Sequence, residues 1–263
     1  MKILTLIENS AVCDTLNAEH GLSLYIETNG RKILFDTGAS EAFADNAQML
    51  GIDLSTVDLA VLSHGHYDHS GGLMRFLELN STAPIYMSRH AFTPCYHGTD
   101  RYIGIDPMLR DCGRIQFTDD ICTIADGLTL FSCNKRELLH PIDSAGLTVL
   151  KDGSYRDDKF LHEQYLLIEE AGKNVLISGC SHKGILNIAH WFRPDVLIGG
   201  FHFMNLDPNT HDAVRLRAAA EELLRYPTVY HTGHCTGTAP FQYMKQIMKD
   251  KLHAISGGAY IEI

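Results

Sequence analysis

Ser63-His64-Gly65-His66-Tyr67-Asp68-His69 places three imidazoles and one carboxylate within six residues. The run follows Asp58–Leu62, a short apolar stretch of the buried-strand type, and precedes Gly71-Gly72. Imidazole nitrogen and carboxylate oxygen are the donors that borderline metals such as zinc prefer. So short a loop cannot aim four donors at one ion. His64 and His66, as alternate residues, can face one ion while Asp68 and His69 turn toward a neighbour. The spacing therefore predicts a dinuclear centre, with ions roughly 3.5–4 Å apart holding a hydroxide between them. Gly65, Gly71 and Gly72 permit the sharp turn this requires. Solvated loop histidines are the bland alternative, and so dense a donor set straight after a buried strand argues against it.

Outward from this loop, Leu22–Glu27 and Lys32–Phe35 read as two strands joined at Asn29-Gly30, a hairpin signal. The second strand runs into Asp36-Thr37-Gly38. A helix over Glu41–Leu50 is closed by Gly51, and Leu73–Leu79 begins another. Pro84–Met87 is a strand, and Ser88 to about Asp126 is irregular, read as an excursion over the active-site face. Leu128–Cys133, Tyr165–Ile168 and Asn174–Ser178 form strands of a second sheet. Lys183–Phe192 is a helix and Val196–Ile198 a strand. His211–Tyr226, with Ala213, Leu216, Ala220, Leu223 and Leu224 at helical spacing, is the clearest helix. Thr228–His231, Pro240–Lys249 and Ala259–Ile263 read as strand, helix and strand. Two mixed halves of this kind predict a single α/β domain over residues 1–263, with two sheets packed together and helices outside.

Composition narrows the function classes. A chain of 263 residues can bury a large core unaided. Its net charge of −10 argues against gripping nucleic acid through phosphates, which needs a basic face. No apolar stretch approaches the roughly 20 residues of a membrane span, and Met1–Glu8 is too short and too soon acidic for a signal peptide. The seven cysteines include no C-x-x-C pair, so free thiols in a reducing cytoplasm are expected.

The pattern H-x-H-x-D-H after a buried strand, with an upstream strand ending Phe35-Asp36-Thr37-Gly38, resembles the metallo-β-lactamase superfamily. The resemblance runs end to end. It implies a four-layer αβ/βα sandwich, two mixed sheets face to face, with metals at the edge where the sheets meet. It also implies that Asp36 sits behind the ligands and steadies their loop. Most members carry Gly-Asp, a bridging carboxylate, where this chain has Gly179-Cys180-Ser181-His182. His182 is the favoured replacement, completing a set with His64 and His66, and Cys180 is the alternative. His234, in Tyr230-His231-Thr232-Gly233-His234, matches the superfamily's last histidine, with His231 as the fallback. The expected metal ligands are thus His64, His66, Asp68, His69, His182 and His234, holding two divalent ions. Zinc is preferred; manganese and iron are compatible.

Glu19-His20-Gly21-Leu22-Ser23, Gly179–Gly184, Gly199-Gly200-Phe201-His202 and His234-Cys235-Thr236-Gly237 resemble a narrower branch. This is the group named after 7,8-dihydropterin-6-methyl-4-(β-D-ribofuranosyl)aminobenzene-5′-phosphate synthase. His202, after a strand and a Gly-Gly pair, is a candidate to touch substrate. His162, Glu163 and His20 are further candidates to face the site. His90, His97, His140, His190, His211 and His253 read as surface or core residues. Lys183, opening a helix, is a candidate anion-binding group.

Such a site predicts hydrolysis by a metal-bound hydroxide, with Asp68 orienting it and shuttling protons. The expected substrate is a small anionic molecule, first a phosphodiester or phosphoester, then a lactone or thioester. A homo-oligomer is compatible with the sequence; nucleic acid and membrane are not expected partners. A diiron reductase of the same fold would carry Glu in place of His66 and a flavin domain, and the chain has neither. A metal-containing sensor without turnover is the non-enzyme alternative.

Overall fold

The computed structural model describes residues 1–263. Two seven-stranded sheets stack face to face. In the first, the order is 260–262, 2–7, 23–28, 31–35, 59–61, 85–88, 115–118. The second runs 252–254, 229–232, 196–198, 173–177, 165–170, 128–131, 121–125. Each sheet changes character midway. In the first, antiparallel pairing of Ser23–Thr28 with both Lys2–Ile7 and Arg31–Phe35 gives way to parallel pairing through Leu59–Val61, Ile85–Ser88 and Ile115–Thr118. In the second, the parallel strands 173–177, 196–198, 229–232 and 252–254 stand beside an antiparallel meander. The four-layer sandwich implied by the sequence is the architecture of this chain.

The layers follow from the side-chain period. Alternate residues of a strand face opposite sides, so Ile3, Ile33, Phe35, Val61, Val175, Ile177 and Ile198 meet between the sheets. Their strand neighbours Leu4, Leu34, Leu176 and Leu197 point outward under helices. Strands buried on both faces read as continuous apolar runs, which is why Leu59–Val61 and Val196–Ile198 carry no polar residue. Ala42–Met49 and Leu73–Leu79 cover the first sheet. Ile185–Phe192, Asp212–Leu223 and Thr238–Met248 cover the second. No helix is long and apolar enough to cross a membrane.

The reading of residues 88–126 as one irregular excursion needs correction. Ile115–Thr118 and Ile121–Ala125 are the edge strands of the two main sheets. Half-exposed edge strands lack the apolar run that marks a central one, so their sequence reads as loop. What does leave the sandwich is a separate four-stranded sheet, ordered 154–157, 147–151, 95–97, 101–102. It carries a small core of Cys95, Ile103, Leu147 and Phe160, with Tyr67 packed against it. Tyr67 N–H donates to Ile103 O at 2.8 Å, and His66 bridges to Gly104. The small sheet is thus stitched directly to the histidine loop.

Candidate metal centre

In open α/β sheets, ligands bind beyond the carboxyl ends of the parallel strands. Here those ends belong to both sheets at once. Phe35 delivers Asp36, Val61 leads into the histidine loop, Ile177 into Cys180 and His182, Ile198 into His202, and Thr232 into His234. The loops are tight and several are strained. Asp36, Ser181, His202 and His234 all adopt left-handed backbone, with φ of 59°, 58°, 56° and 48°. Non-glycine residues hold that conformation only where the surroundings over-determine it. Gly65 is required by space: a Cβ there would sit 2.1 Å from Ala91 O.

The donors fall into two groups. His64, His66 and His182 have ligand atoms within 4.8 Å of one another, as do Asp68, His20 and His234. His69 belongs with the second group: its Nε2 lies 3.2 Å from His234 Nε2 and 3.8 Å from Asp68 Oδ2. His234 Nε2 lies 3.3 Å from Asp68 Oδ2. Cys180 stands between the groups, with Sγ 3.1 Å from His69 Nε2 and within 4.8 Å of the facing nitrogens of both His64 and His69. His182 and Cys180 therefore both point inward, His182 with the first group and Cys180 between the two, so they do not compete for one position.

The back side of each ring shows which nitrogen faces in. Asp36 accepts from Ser63 N at 2.7 Å, from Ser63 Oγ at 2.7 Å and from His69 Nδ1 at 2.6 Å. With its proton given to Asp36, Ser63 Oγ accepts from His64 Nδ1 at 2.8 Å. His234 Nδ1 is held by Asn9 Oδ1 at 3.1 Å. Such outer partners fix the tautomer and aim the other nitrogen at a metal. The consequence is that His64 Nε2, left bare, faces His182 Nε2 at 3.2 Å. Tetrahedral bonds of about 2.0–2.1 Å place neighbouring donor nitrogens roughly 3.3 Å apart. His66 Nε2 is buried without any hydrogen-bond partner, as is His182 Nδ1. These residues fit a bound divalent ion.

Charge agrees with that fit. Burial lowers His64 and His182 well below the usual imidazole range and takes His66 down to about 3, so these rings are neutral ligands near pH 7. Burial alone would raise the Asp68 carboxyl, but the His69 and His234 rings outweigh it and hold Asp68 ionised. His69 is the exception among the candidate ligand histidines. Burial opposes charge there, yet Asp36 and Asp68 raise it overall, so a cation is favoured at its Nε2.

The other expected residues divide. His202 lies against His182, ring centroids 4.4 Å apart, and lines the cavity of about 440 Å³ above the centre. His20 reaches it too, with Nε2 3.5 Å from Asp68 Oδ2 and its ring stacked on His234. His231, the fallback for His234, stacks on His253 instead and stands clear of the ligand groups. Glu163 does not face the cavity. It is buried behind the centre, accepting from His182 N at 2.6 Å, Lys183 N at 3.0 Å and Tyr165 OH at 2.6 Å. The anion-binding expectation for Lys183 is overturned. Its buried Nζ donates to Ser132 O at 3.0 Å and Glu163 O at 3.1 Å, and it lines no part of the metal cavity. A helix-opening lysine followed its stem inward because buried carbonyls needed a donor.

Some residues of the site escaped the sequence reading. Glu8 accepts from His234 N at 2.5 Å, and Asn9 orients its ring. The signal was there, an apolar strand ending in polar residues, as at Asp36-Thr37. His162, by contrast, was expected to face the site; it lies beneath the ligand loop, accepting from Gly65 N at 3.0 Å and bonding Asp158 at 2.9 Å. Nothing local marked Asp158. His97, set aside as surface, lines the cavity mouth together with Tyr67 and Arg101.

Comparison with known proteins agrees with this architecture. Residues 16–141 match the model of the metallo-β-lactamase superfamily. The chain is 27% identical to the MJ0448 protein of Methanocaldococcus jannaschii, covering 93% of this chain and 94% of that one. It is 29% identical to the 7,8-dihydropterin-6-methyl-4-(β-D-ribofuranosyl)-aminobenzene-5′-phosphate synthase of the same organism, covering 97% and 95%. Among solved structures, Tm1679, described as a metal-dependent hydrolase of the β-lactamase superfamily, superposes with a TM-score of 0.81 at 28% identity, covering 100% and 99%. Fold, ligand-loop pattern and relatives together give this chain the metallo-β-lactamase fold, with a metallo-β-lactamase domain matched over residues 16–141.

Proposed function

We propose that this protein is a metal-dependent hydrolase of a small phosphorylated or other ester substrate, with phosphodiesters and phosphoesters preferred. The observation that carries the reading is the inward convergence of the histidine nitrogens, with His64 Nε2 opposed to His182 Nε2 at 3.2 Å and His66 Nε2 buried and unpartnered. Two divalent ions, zinc first and manganese or iron next, supply Lewis acidity and a water acidified toward neutral pH when bound. His64, His66 and His182 would hold one; Asp68, His69 and His234 the other, with Cys180 between. Asp68 has the placement of a proton acceptor: it stays ionised and its carboxylate meets the cavity beside His234. His202 and His20 flank the two groups and can donate to an oxygen that gains charge. A phosphorylated substrate is supported by the relative named as the synthase of a ribofuranosyl 5′-phosphate compound.

That relative is a synthase, which favours a second reading in which the same centre promotes bond formation rather than hydrolysis. Metal analysis with a screen of bis-p-nitrophenyl phosphate, p-nitrophenyl phosphate, lactones and thioesters tests the first. Turnover that is lost in His66→Ala supports hydrolysis. Two ions bound with no turnover of any class sinks it, and leaves the synthase or a sensor that binds without turnover.

A further inference from the structure

The centre is buried, and one cation beside its mouth has no acidic partner. Arg101 is the single lysine or arginine lining the metal cavity. Its one side-chain hydrogen bond goes to Tyr67 OH at 3.0 Å, and its guanidinium lies 5.6 Å from the centre of that ring. No carboxylate pairs with it, unlike Arg75, Arg89, Arg215 and Arg225 elsewhere on the surface. Four of its five N–H donors stay unused, in a fork that matches carboxylate or phosphate oxygens two at a time. Its position is fixed. Arg101 pairs with His97 across a short antiparallel ladder, so both side chains leave the same face of the small sheet. Tyr67 is stitched to that sheet through Ile103 O and is flanked in sequence by His66 and Asp68. Any shift of Arg101 is thus felt one residue from two candidate ligands.

We propose that Arg101, held by Tyr67 and flanked by His97, is the anion-recognition subsite of this cavity, taking a phosphate or carboxylate of the substrate other than the group at the histidine centre. This rests on the hydrolase reading for the identity of the reacting end, and the Lys183 correction strengthens it. With Lys183 turned inward, Arg101 is the remaining side chain of permanent positive charge that a substrate in the cavity can meet. The small sheet then has a purpose beyond covering the edge: it carries the specificity group.

Calorimetric binding to zinc-loaded protein tests this without turnover, so its outcome is separate from that of the hydrolysis screen. The probes are ω-carboxyalkylphosphonates with two to four carbons, each compared with the alkylphosphonate lacking the carboxylate. The phosphonate occupies the metal end and the carboxylate searches for Arg101. At least one carboxylated probe is expected to bind about tenfold tighter than its counterpart. Arg101→Ala should erase that gain while leaving alkylphosphonate affinity unchanged, Arg101→Lys should keep part of it, and Tyr67→Phe should reduce it several-fold through loss of positioning. A gain that persists in Arg101→Ala overturns the proposal, and so does a wild-type protein that shows no gain at any length or binds neither series. Circular dichroism and zinc content of each variant, unchanged from wild type, exclude misfolding as the cause.

Discussion

The two ligand groups stand side by side, yet they are built differently. The His64–His66–His182 group is wholly imidazole, and burial keeps it neutral. Two of its ring nitrogens, His66 Nε2 and His182 Nδ1, have no protein partner. The Asp68–His69–His234 group contains a carboxylate, has Asp36 directly behind it, and has each Nδ1 anchored, to Asp36 or to Asn9. Negative charge and outer hydrogen bonds both raise affinity for a divalent ion. The second group should therefore fill first and release its ion last. The first, less braced, should be the weaker site and the one whose ion exchanges. Stepwise chelation followed by metal analysis checks the base comparison, and equal release of both ions would break it.

The largest effect should come from removing a donor altogether. His66→Ala leaves the weaker group with two imidazoles, and the expected result is one bound ion per chain with turnover down by at least 100-fold. Asp68→Asn attacks the stronger group and its proton acceptor together, so a loss of about 10²–10⁴ in kcat is expected. If His66→Ala still binds two ions, the partition of donors into these groups is wrong.

Asp36→Asn comes next, because one carboxylate supports both groups unequally. It bonds His69 directly but reaches His64 only through Ser63 Oγ. Outer partners of this kind are worth 10–100-fold in metal affinity, and the fall should be steeper at the Asp68 group. The metal-free protein should also lose about 3–5 kcal/mol in denaturant unfolding, since the variant turns an amide N–H₂ on buried donors. Equal weakening of both ions would remove the asymmetry argued above.

Much of this centre was legible because its donors are contiguous. The run from His64 to His69 is local, and its spacing alone predicts that it divides between two groups, as the donors do. Asp36 and His234 were readable because each follows a strand at a position that matches the superfamily's motifs. Cys180 and His182 were found as a pair, although a linear sequence could not show that Gly179, at φ 64°, turns the chain so that both point inward. Glu8, Asp158 and Arg101 were not read. Asp158 and Arg101 are delivered by pairings such as Leu147 with His97, fifty residues apart, and by strands like Ser154–Asp157 that are exposed throughout. Such strands have no apolar period to betray them. Lys183 was misread for a related reason: local sequence shows where a side chain starts, not which carbonyls draw it inward.

Cys180 sharpens the comparison, because it stands where the groups meet. Cys180→Ala should lower affinity for the ion of the Asp68 group about tenfold, and Cys180→Asp should restore most of it. Cobalt substitution supplies the direct readout: thiolate-to-cobalt charge-transfer absorption, present in wild type and absent in Cys180→Ser. No such band in the wild type would mean that the thiol only packs against His69.

The smallest effect is expected on the weaker side, from Glu163→Gln. Glu163 touches no candidate ligand side chain; it grips the backbone of His182 and Lys183 and the hydroxyl of Tyr165. A glutamine keeps one acceptor oxygen and turns two donors toward groups that already donate, which costs about 1–3 kcal/mol. For a chain of this size that is a drop of roughly 2–4 °C in Tm per kcal/mol. Because the grip is on His182, affinity for the ion of the His64 group should fall a few-fold, with the Asp68 group unchanged. A thermal melt paired with two-ion titration checks both halves at once. Loss of stability with equal weakening at both ions would show that Glu163 holds the whole edge, not the His182 side of it.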